Sequence, residues 1–346
     1  MESISRNSFL NTYYNGDDKD NSQRRGFGFC ILDLTGNFEE FKDRMDEFVF
    51  NIKDLLSQGE NMNPHEYIIS KQLQWAYRNN IVLIGSKINR GRKAYTQNLD
   101  ANLFEPMLPD VLNNFKKGDG GELTGSPCKM QAVHSSSALG VNIFQYWKKI
   151  KKISEIASAC RFCRKNNSVS QDIQFEVRYP IGKRFLRSPN IDVVIENSPS
   201  SRFKVFAIEC KFSEAYLSRN HSGISPKYIE LDTIWGGMPN LLKLAKEISP
   251  DDNKYSYLYP AQLVKHILGL KEKFGKNKFR LLYLWYDTVG PESRIHHKEI
   301  DKFTKITKAD NLYFHAISYQ DLIVNLANDY RNLHRDYINY ITERYL

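Results

Sequence analysis

No apolar run in this 346-residue chain approaches the roughly 18 residues that a membrane-spanning helix needs. The longest, around Leu281–Tyr286, is far shorter. The first ten residues, MESISRNSFL, contain no basic segment leading into an apolar one, so no secretory leader is expected. Cysteine is scarce and odd in number, at five, which argues against a disulfide framework and for reduced thiols in a cytoplasmic protein. The one Cys-x-x-Cys, Cys160 with Cys163, has no second pair and no paired histidines to complete a four-ligand zinc site. Gly85-Ser86-Lys87 lacks the upstream glycine of a phosphate-binding loop. None of the eight histidines stands in His-Glu-x-x-His, and no serine, including those after His134, sits in a nucleophile elbow.

What is present is charge and aromatic carbon. Aromatic residues make up 13% of the chain, which argues against disorder. The length suggests one large domain or two ordinary ones. Lys plus Arg exceeds Asp plus Glu by nine, and Lys148–Arg187 alone holds eleven basic and three acidic residues. A local positive field of this kind attracts polyanions. The plainer alternative is a solvated, lysine-rich helix face.

Periodicity gives the organisation. Phe38–Leu56 repeats apolar residues at helical spacing, and Pro64–Tyr77 is a second helix with Asn63 as cap and proline in its first turn. Ile81–Ile84 is a short strand. The turn-rich Gly118–Pro127 is the best internal boundary, dividing a mostly helical region, residues 1–130, from a second domain, residues 131–346. In the second domain Ser135–Ala159 is one helix or two. Phe175–Ile181, Ile191–Glu196 and Lys204–Phe212 are strands, the last two joined by a hairpin over Asn197–Arg202. Helices follow at Leu241–Ile248 and Ala261–Phe274. Phe279–Tyr286 is an apolar strand covered on both faces, Phe314–Ile317 a further strand, and helices run from Gln320 and over Leu333–Tyr345. The order implies an α/β (α+β) fold: a mixed sheet flanked by helices.

Chemistry concentrates on one hairpin. Alternation along a strand puts Glu209 and Lys211 on one face and Cys210 on the other. A hairpin centred in Asn197–Arg202 sets Asp192 opposite about Ala207, with Glu209 as a diagonal neighbour roughly 7–8 Å away. Hard divalent cations take oxygen ligands. Asp192, Glu209 and the backbone carbonyl of Cys210 supply such a set for Mg²⁺, which would polarise a phosphoryl oxygen and acidify bound water. Lys211 would orient that water or neutralise charge on the phosphorane. The competing reading is a half-exposed strand face with ordinary Glu/Lys pairing.

Taken whole, the pattern Pro189-x-x-Asp192, strand, hairpin, apolar strand, Glu209-x-Lys211 resembles the PD-(D/E)XK nuclease superfamily, the restriction-endonuclease-like fold. The proline lies three residues before Asp192 rather than directly before it. Further stretches over roughly 130–346 are similar to a group of restriction-endonuclease-like proteins: Ser135–Phe144, Trp235–Leu241, Ala261–Leu270 and Leu282–Asp287. The resemblance implies a Mg²⁺-dependent DNA endonuclease (Mn²⁺ substituting) with Asp192, Glu209 and Lys211 as the catalytic set. A further metal-ligating glutamate would be Glu155 or Glu176, with Asn142 or a serine of 135–137 as alternative supporting groups. Lys183, Arg184 and Arg187, just before Asp192, would grip flanking phosphates, and Gln262 would reach the lysine or a phosphate.

The first functional reading is a type II restriction endonuclease acting as a homodimer on double-stranded DNA. It would work in the cytoplasm, on the nucleoid when bound, beside a possible cognate DNA methyltransferase and without a membrane partner. Residues 1–130 would serve recognition or dimerisation. The alternatives are a structure-specific repair, recombination, transposition or defence nuclease, and an inactive nucleic-acid-binding protein on the same fold.

Overall fold

In the computed structural model the described residues are 63–86, 91, 93–167, 169–182, 185, 189–217 and 221–346. The helix expected at Phe38–Leu56 lies outside them. All the described residues belong to one compact unit, residues 54–346.

The chain opens with α1 (Pro64–Arg78), whose N-cap Asn63 accepts the Glu66 N–H at 3.0 Å through its side chain. A small hairpin follows, β1 (Leu83–Gly85) with β2 (Lys93–Thr96), then α2 (Pro109–Lys117). The helix expected from Ser135 is two: α3 (Ser136–Lys149), capped by the Ser135 hydroxyl, and α4 (Ile153–Ala159). Lys151, with φ of 57°, makes the break. Next come β3 (Ser170–Arg178), β4 (Asn190–Asn197) and β5 (Val205–Lys211), a two-residue strand β6 (His221–Ser222) and a single turn α5 (Pro226–Ile229). The remainder is α6 (Pro239–Glu247), β7 (Asp251–Asp252, paired with β6), α7 (Pro260–Phe274), β8 (Phe279–Trp285), α8 (Pro291–Ala309), β9 (Phe314–Ser318), α9 (Tyr319–Tyr330) and α10 (Arg335–Tyr345). Proline sits in the first turn of α1, α2, α6, α7 and α8, where its missing N–H leaves no helical bond unmade.

The core is the expected mixed sheet, in the order β3-β4-β5-β8-β9. The first two pairings are antiparallel, and β5–β8 and β8–β9 are parallel. Both faces are covered, which is why β8 is apolar almost throughout. One face carries α3, α4 and α9. There Phe162 stacks on Phe206 at 4.5 Å between ring centres, and Gly140 of α3 lies over the Cys210 thiol. The other face carries α7 and α8, with His296 of α8 bonded to the Tyr283 hydroxyl at 3.0 Å. No helix among the described residues is long and apolar enough to cross a membrane.

Two contacts fix α7, the helix nearest the chemistry. Glu299 of α8 accepts the N–H groups of Ser256, Tyr257 and Leu258 at 2.6, 3.0 and 2.8 Å, pinning the segment that leads into α7. Gly269 lets α7 approach the chain end of β3: a Cβ there would sit 2.4 Å from the Tyr179 carbonyl oxygen. Because that obstacle is backbone, Gly269→Ala is expected to destabilise the protein by about 1–3 kcal/mol. Urea unfolding tests this, and an unchanged midpoint would contradict it.

A second test concerns the opposite face. The His315 ring, between β9 and α4, donates from Nε2 to the Cys160 carbonyl at 3.0 Å. Burial holds its titration down to about 4. The unfolded chain therefore takes up this proton before the folded one does. The neutral ring's stabilisation is complete above about 6.5 and is lost as pH falls towards 4, reaching about 2 kcal/mol at pH 5. His315→Gln is expected to flatten the fall of stability between pH 7 and 5. Parallel curves for the two proteins would contradict the assignment.

The longer elements α8, α2 and β2 were not anticipated from the sequence, nor were the short β6, α5 and β7. The buried face of α8 includes His296, Glu299 and Thr307 beside Ile300 and Phe303, so no clean apolar stripe marks it. The short α2 buries only Val111 and Phe115. Strand β2 is four residues long, too short for a period to show.

Candidate active site

The hairpin β4–β5 is wider than expected. Val193 pairs with Ile208 and Val194 with Ala207, and Asn197 N–H bonds to the Lys204 carbonyl at 2.9 Å. The loop is thus Ser198–Phe203, closed by the Asn197 side chain on the Phe203 carbonyl at 3.1 Å. Pairing is shifted by two residues, so the same faces are kept, but Asp192 aligns with Glu209 rather than with Ala207. The correction tightens the site, because the two acids are direct rather than diagonal neighbours.

The register of β3 adds a third acid. Phe175 pairs with Val193 and Val177 with Ile191, which sets Glu176 against Asp192. Glu209 pairs in turn with Tyr283. Glu176, Asp192, Glu209 and Tyr283 therefore form one row across four neighbouring strands. Glu176 itself has φ of 54° and drops out of the β3–β4 ladder. A non-glycine residue in that region is uncommon and strained. The Asn190 amide holds its carboxylate, donating to Oε2 at 2.8 Å, and Gly118 of the turn-rich segment packs against its side chain.

Three carboxylates in a row repel one another, and the neighbours decide how each titrates. Burial, and then the Glu209 charge, push the Asp192 carboxyl well above the usual carboxylate range. Its Oδ2 accepts the Cys210 N–H at 2.7 Å, tying β4 to β5 where the ladder ends. Burial would raise Glu209 as well, but the Lys211 ammonium and the His266 imidazole outweigh it and bring the carboxyl down to about 2. Glu209 is fully buried. Its Oε1 accepts from Lys211 Nζ at 2.5 Å and its Oε2 bonds His266 Nε2 at 2.7 Å. Burial disfavours the Lys211 charge, yet Glu209 and Asp192 hold its pKa above the ordinary lysine value. Burial also raises Glu176, with help from Glu122 and Glu209.

The described residues contain no three His, Cys, Asp or Glu side chains already arranged around a metal. The reason is visible: both Glu209 oxygens are turned to cations or their equivalent. The donor chemistry still fits a hard ion. Asp192, Glu209, Glu176 and the Cys210 carbonyl are all oxygen donors, and the Cys210 thiol is on the opposite face. A divalent cation would relieve the repulsion that now raises Asp192 and Glu176.

The other expected residues fall in several places. Glu155 lies on α4, across the sheet, and pairs with Lys152 at 3.4 Å. Asn142 is buried and structural, bonding the Phe104 N–H, the Asn102 carbonyl and the Tyr345 hydroxyl. Gln262 is on α7, but His266, one turn later on the same helix face, is the side chain that meets Glu209. The i, i+4 spacing from Gln262 was the sequence signal for it. Lys183, Arg184 and Arg187 lie outside the described residues. The remaining basic run is largely matched by acids: Lys148 pairs with Asp110 and Asp172, Lys149 with Glu105, Lys165 with Asp329 and Arg178 with Asp119. A cavity of about 410 Å³, lined in part by Trp75, Asn98 and Tyr340, is not lined by Glu176, Asp192 or Glu209.

The sequence model of the family described as Restriction Endonuclease associating with ARP matches residues 62–346. The chain belongs to this family. The match spans the whole sheet and also α1, whose His65 ring bonds the Ser213 carbonyl at 2.9 Å just past β5. Membership in a restriction-endonuclease family makes a nuclease role, with DNA as substrate, the function to weigh against this site. Comparison with curated proteins and with solved structures gave no match.

Proposed function

We propose that the chain is a Mg²⁺-dependent DNA endonuclease of the PD-(D/E)XK kind, acting as a type II restriction enzyme. The observation that supports this most is the meeting of Asp192, Glu209 and Lys211 at the ends of β4 and β5, in a chain of a restriction-endonuclease family. Asp192, Glu209 and the Cys210 carbonyl would hold the ion, with Glu176 as a further ligand. Bound there, Mg²⁺ (or Mn²⁺) supplies Lewis acidity to a phosphate oxygen and to water. The chain's own groups do the rest. Lys211 places a positive charge beside the reacting phosphate, where charge builds up during displacement. The Cys210 N–H fixes one Asp192 oxygen, leaving the other to face the site. Lys183, Arg184, Arg187 and Gln262 would contact phosphates.

On this reading the enzyme works in the cytoplasm as a homodimer, beside a methyltransferase that protects host DNA, with residues 1–130 in recognition or dimerisation. The family's description speaks of association with ARP, and the proposal extends to such a partner. Linear phage DNA incubated with the protein and Mg²⁺ tests the type II assignment. Discrete fragments are expected. A smear, or nicking of branched substrates alone, would sink the type II reading in favour of a structure-directed nuclease.

A further inference from the structure

His266 carries a role that the proposed reaction leaves unassigned. Its side chain is fully buried on α7, and Nε2 lies 2.7 Å from Glu209 Oε2. Glu209 accepts from Lys211 Nζ through Oε1 and meets the imidazole through Oε2, and a carboxylate only accepts, so Nε2 carries the hydrogen. The other ring nitrogen, Nδ1, is buried and has no hydrogen-bond partner among the described residues. Leaving a buried polar atom unpaired is destabilising. An apolar residue at 266 would remove that cost but leave the buried Glu209 Oε2 without its donor, so the imidazole there is tied to Glu209. Among the described residues the bond to Glu209 is the imidazole's one polar contact, and Glu209 is one acid of the carboxylate row.

The two partners of Glu209 are not equivalent. Lys211 keeps 17% of its side chain exposed, whereas the His266 side chain is sealed. Lys211 holds Oε1 from the accessible side; His266 holds Oε2 from the interior. We propose that His266 is the positioning residue of the site. It anchors Oε2, so that Glu209 keeps its orientation when Lys211 releases Oε1 and turns to the phosphate. Lys211 is the exchangeable partner and His266 the fixed one. This inference rests on the nuclease reading.

The test uses the full chain with His266→Ala, His266→Gln and His266→Asn. Glutamine places an N–H near the position of Nε2; asparagine is too short. Mn²⁺ affinity is measured by calorimetry without DNA, and plasmid cleavage is resolved into kcat and KM. His266→Ala and His266→Asn are expected to bind Mn²⁺ about 10–100-fold more weakly and to lose kcat to a similar extent, with KM for DNA unchanged. His266→Gln is expected to recover most of both. Should the alanine protein fail to fold, the glutamine–asparagine pair decides. Wild-type protein that binds Mn²⁺ and cuts DNA, with the folded variants all alike, overturns the inference alone. Wild-type protein that does neither overturns the nuclease reading and this inference with it.

Discussion

Replacing Lys211 with alanine is expected to slow DNA cleavage by about 10²–10³-fold, the loss seen when one charge-stabilising donor is taken from a reacting centre. The effect follows from its place. The ammonium sits 2.5 Å from Glu209 Oε1, and the Glu209 and Asp192 charges keep it protonated. The same substitution leaves the buried Glu209 with His266 alone, at a cost of several kcal/mol, about 3–5, typical of a broken buried pair. Lys211→Arg separates the two consequences. It retains a cation for Glu209, so stability is largely restored, but a planar guanidinium does not reproduce the compact ammonium, so cleavage stays slow. Single-turnover cleavage beside urea unfolding reads both quantities. A folded Lys211→Arg protein that cuts at the wild-type rate would contradict the role given to Lys211.

Asp192→Asn is expected to abolish cleavage and to raise stability at neutral pH. Burial and the neighbouring Glu209 hold the Asp192 carboxyl above the usual range, so the folded state binds this proton more tightly than the unfolded chain. The stabilisation from the protonated carboxyl is present at low pH and is lost as pH rises through the folded value. Asparagine has no such loss and keeps an oxygen for the Cys210 N–H. Its advantage should therefore be larger at pH 8 than at pH 5. Each kcal/mol of relieved repulsion corresponds to about 2–4 °C in Tm. Glu209 has the opposite sign: its stabilisation is present above the ordinary carboxylate value and fades only as pH falls towards 2. An Asp192→Asn protein less stable than wild type at pH 8 would mean that Asp192 is not under the repulsion described.

Much of this site was legible before the fold was known. Alternation in Glu209-Cys210-Lys211 placed the acid and the base on one face, and the hairpin brought Asp192 to them. The apolar run of β8 and the capped start of α1 were equally plain. What escaped depended on long-range contact. The two-residue register shift came from closure of the Asn197 loop, which no local pattern dictates. Glu176 was one of two candidate glutamates, and what alternation does not predict is its left-handed backbone conformation. His266 shares a helix face with Gln262, but only the contact with Glu209, 57 residues away in sequence, shows which of the two meets the acid. The basic run suggested a free positive surface because its acidic partners, such as Asp110 and Asp329, come from elsewhere in the chain.

The central claim is that Asp192, Glu209 and Lys211 form a metal-dependent phosphodiesterase centre. Its most direct test is supercoiled plasmid incubated with wild-type and Lys211→Ala protein, each in Mg²⁺ and in EDTA, with folding verified by circular dichroism. Cleavage by the wild type in Mg²⁺, absent in EDTA and slowed about 10²–10³-fold in the variant, is the predicted result. Equal cleavage by folded wild type and variant, or cleavage that survives EDTA, would contradict it.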